Sequence, residues 1–224
     1  MSASRIRQLA CALAAVAAFG LAAAQGPVNV DDLRLRASTG DKAAIRQLAD
    51  RYYSGRGGVE QDFREAARWY EKLAKLGDAR AQTSLGLMYA RGYGVEKNLQ
   101  TAHRYWSFAA AQNDPGAQFN LGLSYSRGDG VAQDFKRAFQ WYKKAANRGH
   151  VQAQHNLGVL YHLGKGVDRD PVRAFFWVKV AALQGDDVAG ETVASVAKDL
   201  TAEQIQEADA QADAWMKKAR NVMR

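Results

Sequence analysis

Few residues in this chain could do covalent or metal chemistry. Four histidines are present, His103, His150, His155 and His162, and one cysteine, Cys11. His155 and His162 are seven apart. On a helix that places them on one face but about 10 Å apart, too far for a shared metal ion without other ligands. One cysteine supports neither a disulfide framework nor a cysteine-based zinc centre. No G-x-S-x-G and no H-E-x-x-H occurs, so no hydrolase constellation stands out. The loops Gly92-Tyr93-Gly94-Val95, Gly128-Asp129-Gly130-Val131 and Gly164-Lys165-Gly166-Val167 look at first like phosphate cradles. A phosphate loop occurs once, follows a strand and continues into Lys-Ser or Lys-Thr. Loops that recur are expected to be tight turns with left-handed glycines and an inward valine. No metal, cofactor or catalytic residue is therefore assigned. What remains is recognition by arginine forks, amides and exposed rings.

A repeat must position those groups. Val59, Val95, Val131 and Val167 are 36 apart, and so are Ala66, Ala102, Ala138 and Ala174. The aromatics Trp69, Tyr105, Trp141 and Trp177 keep the same step, as do Leu85-Gly86, Leu121-Gly122 and Leu157-Gly158. Each repeat reads as two helices, A and B. Ala81, Leu85 and Tyr89 mark one face of an A helix by their four-residue step. In the third B helix, Phe135, Ala138, Phe139, Trp141, Tyr142, Ala145 and Ala146 should be packed, with Lys136, Arg137, Lys143 and Lys144 in water. Trp141 is thus an expected core residue.

Helix punctuation agrees. Gly40, Gly77, Asn113, Gly149 and Gly185 sit where a left-handed residue ends each preceding helix. Asp41, Asp78, Asp114 and Asp186 should cap the A helices, with His150 in the same slot. Asp62, Asn98, Asp134 and Asp170 should cap the B helices. Pro115 and Pro171 stand at first helical positions.

The stretch from Ala153 to Tyr161, the Gly164-x-Gly166-Val167 turn, Asp170, Ala174 and the segment Trp177 to Ala182 together resemble the Sel1-like repeat family, a relative of tetratricopeptide repeats. The resemblance covers about Gly40 to Gly185. It implies an all-α, right-handed solenoid of stacked antiparallel helix pairs. It also implies an adaptor that assembles or regulates complexes, often at the bacterial cell envelope. Ala49 departs from the pattern where an A-helix glycine belongs, and Val178 replaces the rings Tyr70, Trp106 and Tyr142.

The expected layout is a leader over residues 1–24, a capping helix within 25–39, repeats at 40–77, 78–113, 114–149 and 150–185, and capping helices over 186–224. Asp31–Ser38 should form the first cap. Thr201 and Gln204 should make a capping box. Ile205, Ala208, Ala212, Trp215 and Ala219 form a narrow stripe suited to a terminal helix with one neighbour.

If A helices line the inner wall, their faces away from the core offer a groove. Its residues are Arg46 and Tyr53 in repeat one, and Arg80, Leu87 and Arg91 in repeat two. Repeat three adds Phe119, Asn120, Leu123 and Arg127; repeat four adds His155, Asn156, Val159 and His162. Arginines there would hold carboxylates, Asn120 and Asn156 would meet a peptide backbone, and Tyr53 and Phe119 would anchor an apolar side chain. The expected partner is a protein or peptide with acidic groups. Two other readings stay open: a cell-wall or β-lactam hydrolase, and a binder of an anionic envelope polysaccharide.

The first residues read as an export signal. Arg5 and Arg7 precede an apolar stretch from Leu9 to Leu21, and Ala22-Ala23-Ala24 fits small-residue cleavage before Gln25. Leu9–Ala24 is 16 residues, short of the roughly 20 that a spanning helix needs. Cleavage would remove both arginines and Cys11, lowering the net charge from +8 by two. A periplasmic or secreted chain does not meet chromosomal DNA, so the positive charge is not assigned to nucleic acid. Material made in an exporting host should begin at Gln25 on intact-mass and N-terminal sequencing; retention of Met1 would overturn the cleavage.

Overall fold

The computed structural model describes residues 29–222, so the expected leader lies outside them. The described residues form eleven α-helices and no strand. They are α1 (Val30–Ser38), α2 (Lys42–Ser54), α3 (Phe63–Lys75), α4 (Ala79–Arg91), α5 (Leu99–Ala111) and α6 (Pro115–Arg127). They continue as α7 (Phe135–Asn147), α8 (Val151–Leu163), α9 (Pro171–Ala182), α10 (Asp187–Ala197) and α11 (Ala202–Val222).

The caps fall where the sequence puts them. Asp78, Asp114 and Asp186 each accept a hydrogen bond from the backbone N–H three residues on. Asn98, Asp134 and Asp170 do the same for α5, α7 and α9. His150 caps α8 with Nδ1, which accepts from the Ala153 N–H at 3.3 Å. Asn113 is left-handed at φ 66° and occupies the place that glycines hold at the other junctions. Thr201 and Gln204 exchange side-chain-to-backbone bonds at 3.0 and 3.3 Å, a capping box.

The chain divides into two compact units between Trp69 and Tyr70, within α3. In the N-terminal unit α1 packs on α2, burying Leu33, Ala37, Ile45 and Leu48. Arg34 reaches the Tyr52 hydroxyl at 2.7 Å, and Arg36 clamps Asp41 with two bonds of 3.0 and 2.8 Å.

In the C-terminal unit α4/α5, α6/α7 and α8/α9 pack as hairpins. Successive hairpins stack through α5 on α6 and α7 on α8, and α9 carries both α10 and α11. The A helices also touch directly, α6 with α8 and α8 with α10. This is a serial α-solenoid arrangement: each hairpin shares its core with its neighbours.

Each of these hairpins closes on a missing side chain. A Cβ on Gly86 would stand 2.5 Å from the Trp106 ring, and one on Gly122 would stand 2.5 Å from the Tyr142 ring. A Cβ on Gly158 would stand 2.7 Å from Val178 Cγ1. The buried B-helix series is therefore Trp106, Tyr142 and Val178. The neighbouring series expected from its 36-residue step is only half-buried, at Trp69, Tyr105, Trp141 and Trp177. Adjacent helical residues differ by about 100°, so only one of the two can enter the glycine notch. The outer series packs elsewhere: Tyr105 stacks on Tyr89 at 5.7 Å, and Trp177 meets Trp215 edge-on at 6.2 Å.

The repeats are joined at a second recurring position. Thr83 Oγ1 donates to Asp114 Oδ1 at 2.9 Å, so the cap of α6 is also held by α4. At the next junction Phe119 stacks on His150 with centroids 4.5 Å apart. At the one after, His155 Nδ1 lies 3.8 Å from Asp186 Oδ2.

Between helices, a Cβ on Gly130 would meet the Leu99 carbonyl oxygen at 2.5 Å. That glycine combines φ 76° with close backbone contact to the preceding repeat. No other residue type provides both.

Two substitutions test this packing. Gly122→Ala should cost about 1–3 kcal/mol, because a stiff ring must move. Tyr142→Ala should cost more than Trp141→Ala, since Tyr142 is 2% exposed and Trp141 is half-buried. Urea midpoints check both; an unchanged midpoint for Gly122→Ala would show that the ring has room.

Candidate functional site

The C-terminal halves of α4 and α6 bring several recognition groups together. Leu87 and Arg91 lie one turn apart on α4; Asn120, Leu123 and Arg127 follow the 3,4 spacing on α6. These five residues line a cavity of about 320 Å³ between repeats two and three. Ala90 of α4 with Leu99 and Trp106 of α5 complete its apolar lining, and Lys97, Ser124 and Asp129 its polar part. The Trp106 indole is fixed by donating Nε1–H to the Thr83 carbonyl at 3.2 Å.

The electrostatics are one-sided. Arg91 and Arg127 occupy the last turns of their helices, where the negative end of the helix dipole favours a cation. Both are exposed, and among the described residues neither makes an ion pair. Three cations thus surround an apolar floor with one carboxylate, Asp129. Ser124 is 1% exposed and its hydroxyl has no hydrogen-bond partner among the described residues.

The other predicted groove residues lie apart from this cavity. Arg80 is exposed in the first turn of α4, at the opposite end of the helix from Arg91. Phe119 is not an open anchor: it is half-buried between Tyr142 and His150. Asn156 and Val159 are half-buried on α8. His155 pairs with Thr192 at 3.1 Å. His162 Nδ1 lies 3.4 Å from Asp199 Oδ2, and the same carboxylate receives Arg169 at 2.5 Å. Helix α10 and the turn after it therefore engage the repeat-four portion of the face. Arg46 and Tyr53 belong to the N-terminal unit, where Tyr53 lies edge-on to Phe63 at 5.4 Å.

Ala90, Lys97, Leu99, Trp106, Ser124 and Asp129 line the cavity without being marked by the helical pattern. Ser124 left a signal, because its register holds Met88 and Leu160 in the adjoining repeats. A hydroxyl in an apolar register marks a place built differently. Lys97 and Asp129 lie in loops, where helical periodicity gives no direction.

The histidines gather no metal site: no three His, Cys, Asp or Glu side chains cluster suitably among the described residues. His150 is held below its ordinary pKa of 6.5 by burial, against the opposing pull of Asp114. Burial also lowers His103, which lies edge-on to Tyr125. A depressed folded pKa means that the unfolded chain takes up the proton first as pH falls. The associated stability is fully present above about 6.5 and is lost as pH falls below that value.

The geometry is that of a helical-hairpin repeat protein with a cavity between two of its hairpins. A family model described as "Sel1 repeat" matches residues 42–78, 79–114, 115–150 and 151–186, and the chain belongs to the Sel1 repeat family. Members of this family are usually protein–protein interaction scaffolds and are generally non-catalytic.

Among solved structures, it is similar to a protective antigen present in uropathogenic Escherichia coli strains that displays an SLR fold. The two share 36% identity over 91% of this chain and 44% of that protein, with a TM-score of 0.80. This chain thus spans under half the length of the E. coli protein. A Sel1 repeat protein from Oxalobacter formigenes is 32% identical over 87% of this chain and 74% of its own, with a TM-score of 0.67. No curated protein matches the chain. No helix among the described residues is long and apolar enough to cross a membrane.

His150→Asn keeps a neutral cap and removes one titrating ring. The wild-type thermal midpoint should drop between about pH 7.5 and about pH 5.5, and the variant should drop less. Equal drops would remove His150 from the acid response.

Proposed function

We propose that this chain is a non-enzymatic scaffold or adaptor of the bacterial cell envelope, exported by its N-terminal leader. Its partner is a protein segment with acidic groups, and the cavity between α4 and α6 is where that segment docks. The observation that carries this reading is the pairing of Arg91 and Arg127 with Lys97 around the apolar surface of Leu87, Leu99 and Leu123. An acidic side chain takes an arginine fork in two parallel bonds, while an adjacent apolar side chain covers the leucines. Asn120 offers a donor and an acceptor to the segment's backbone.

The cavity's chemistry favours holding over transforming. The Ser124 hydroxyl has no base in hydrogen-bond contact, and a serine nucleophile needs one. Hydrolysis of cell-wall or β-lactam substrates has no support from this arrangement. Among the groove residues predicted from sequence, Leu87, Arg91, Asn120, Leu123 and Arg127 would contact the segment directly; Arg80, at the other end of α4, would serve only a partner that extends further.

A photo-crosslinker at Leu123 should capture a protein in the envelope, and Arg91→Glu/Arg127→Glu should abolish the capture with helicity unchanged by circular dichroism. Capture at wild-type strength by the double variant rejects the docking site. Recovery of polysaccharide alone, with binding that collapses in salt, would replace the protein partner with an anionic polymer.

A further inference from the structure

A second cavity lies where α5 and α7 end, and one of its walls breaks the repeat pattern. Gln82, Gln118 and Gln154 are 36 apart and all buried. Gln82 donates Nε2–H to the Ala74 carbonyl, and its Oε1 receives Gln112 Nε2 at 2.9 Å. Gln154 repeats this with Ala146 and with Gln184 at 2.6 Å. The position of Gln112 and Gln184 holds Arg148 in repeat three. Arg148 turns to Asn113 instead, donating from Nη2 to Oδ1 at 2.7 Å. Gln118 is 1% exposed, and its Oε1 meets no donor among the described residues.

Gln118 lines a cavity of about 520 Å³ together with Asn113, Trp141, Lys144, Asn147 and Arg148. It holds two cations and no carboxylate. Among the described residues neither Lys144 nor Arg148 makes an ion pair. A complementary ligand must therefore bring negative charge and, beside it, a hydrogen-bond donor for Gln118. Leaving a buried acceptor unmatched is costly, and a ligand without a donor would keep that cost. Fully ionised sulfate has no donor to give. A sugar acid has hydroxyl donors but gains most by laying its ring on an open aromatic face. Lys144 Nζ already sits over Trp141, 4.1 Å from the ring centre.

We infer that this cavity binds the free carboxyl end of a peptide. The terminal carboxylate meets Arg148 and Lys144, with the arginine fork able to hold both oxygens. The amide N–H of the same residue, one carbon away from the carboxylate, is the donor for Gln118 Oε1. Asn113 and Asn147 offer amide groups to the preceding peptide unit. The site is built from the ends of α5 and α7 and the start of α6, and it shares no residue with the cavity between α4 and α6.

The test is titration of the isotopically labelled full-length chain with acetyl-glycyl-alanine, followed by the side-chain NMR signals of Gln118 and Trp141. The acid should shift both, and the peptide's C-terminal amide should bind about tenfold more weakly or worse. Arg148→Gln restores the glutamine pair of the other repeats, so it should fold normally and lose the response. Arg91→Glu/Arg127→Glu should retain it, which separates this site from the proposed docking cavity. Equal binding of acid and amide, or wild-type binding by Arg148→Gln, overturns the inference. So does an equal response to sodium acetate, which would indicate an adventitious ion only, or to glucuronate, which would make the ligand a sugar acid.

Discussion

The structure depends on three places where a side chain is missing. Gly86, Gly122 and Gly158 let a ring or a valine from the paired helix approach to a distance that any Cβ would block. That contact sets how closely A and B helices pack, and the closeness allows a hairpin of two 13-residue helices to bury Trp106 or Tyr142. A single hairpin has too little interior to be stable alone, so adjacent hairpins complete each other's core. The notch acts within a repeat, while the stack acts between repeats.

The helices were largely legible from the sequence because their ends carry local chemistry. A cap is decided by one side chain and the backbone two or three residues on, so Asp78, Asn98 and Asp134 announced themselves. Which B-helix aromatic turns inward was less legible. Trp141 and Tyr142 are adjacent, both apolar and both on the period; only the depth of the glycine notch decides between them. The candidate site was legible in part. Arg91, Asn120 and Arg127 follow from helical direction, whereas Lys97 and Asp129 depend on loop paths. Phe119 looked open because its neighbour, His150, is 31 residues away and stands in a cap slot that aspartate fills in the other repeats, where no ring is offered.

Function is read best at departures from the repeat. Regular positions build the frame and must satisfy the same neighbours each time. Ser124 stands where methionine and leucine stand in the flanking repeats, and it lines the A-helix cavity. Arg148 stands where two glutamines stand, and it leaves a buried acceptor unpaired in the other cavity. Neither change strengthens the local packing in any way the structure shows. Each places polar chemistry in a position that is otherwise self-satisfied.

The junction contacts carry a further consequence. Thr83 with Asp114, Phe119 with His150 and His155 with Asp186 occupy one geometric place, yet use a hydroxyl bond, a ring stack and an imidazole–carboxylate pair. Each half is fitted to its own counterpart. The units are therefore not interchangeable beads, despite their common outline. Transposing two of them would set phenylalanine against aspartate or threonine against histidine, so the order of modules is written into the seams. Evolution by duplicating one module would have to re-cut both adjoining seams before the longer array closed properly.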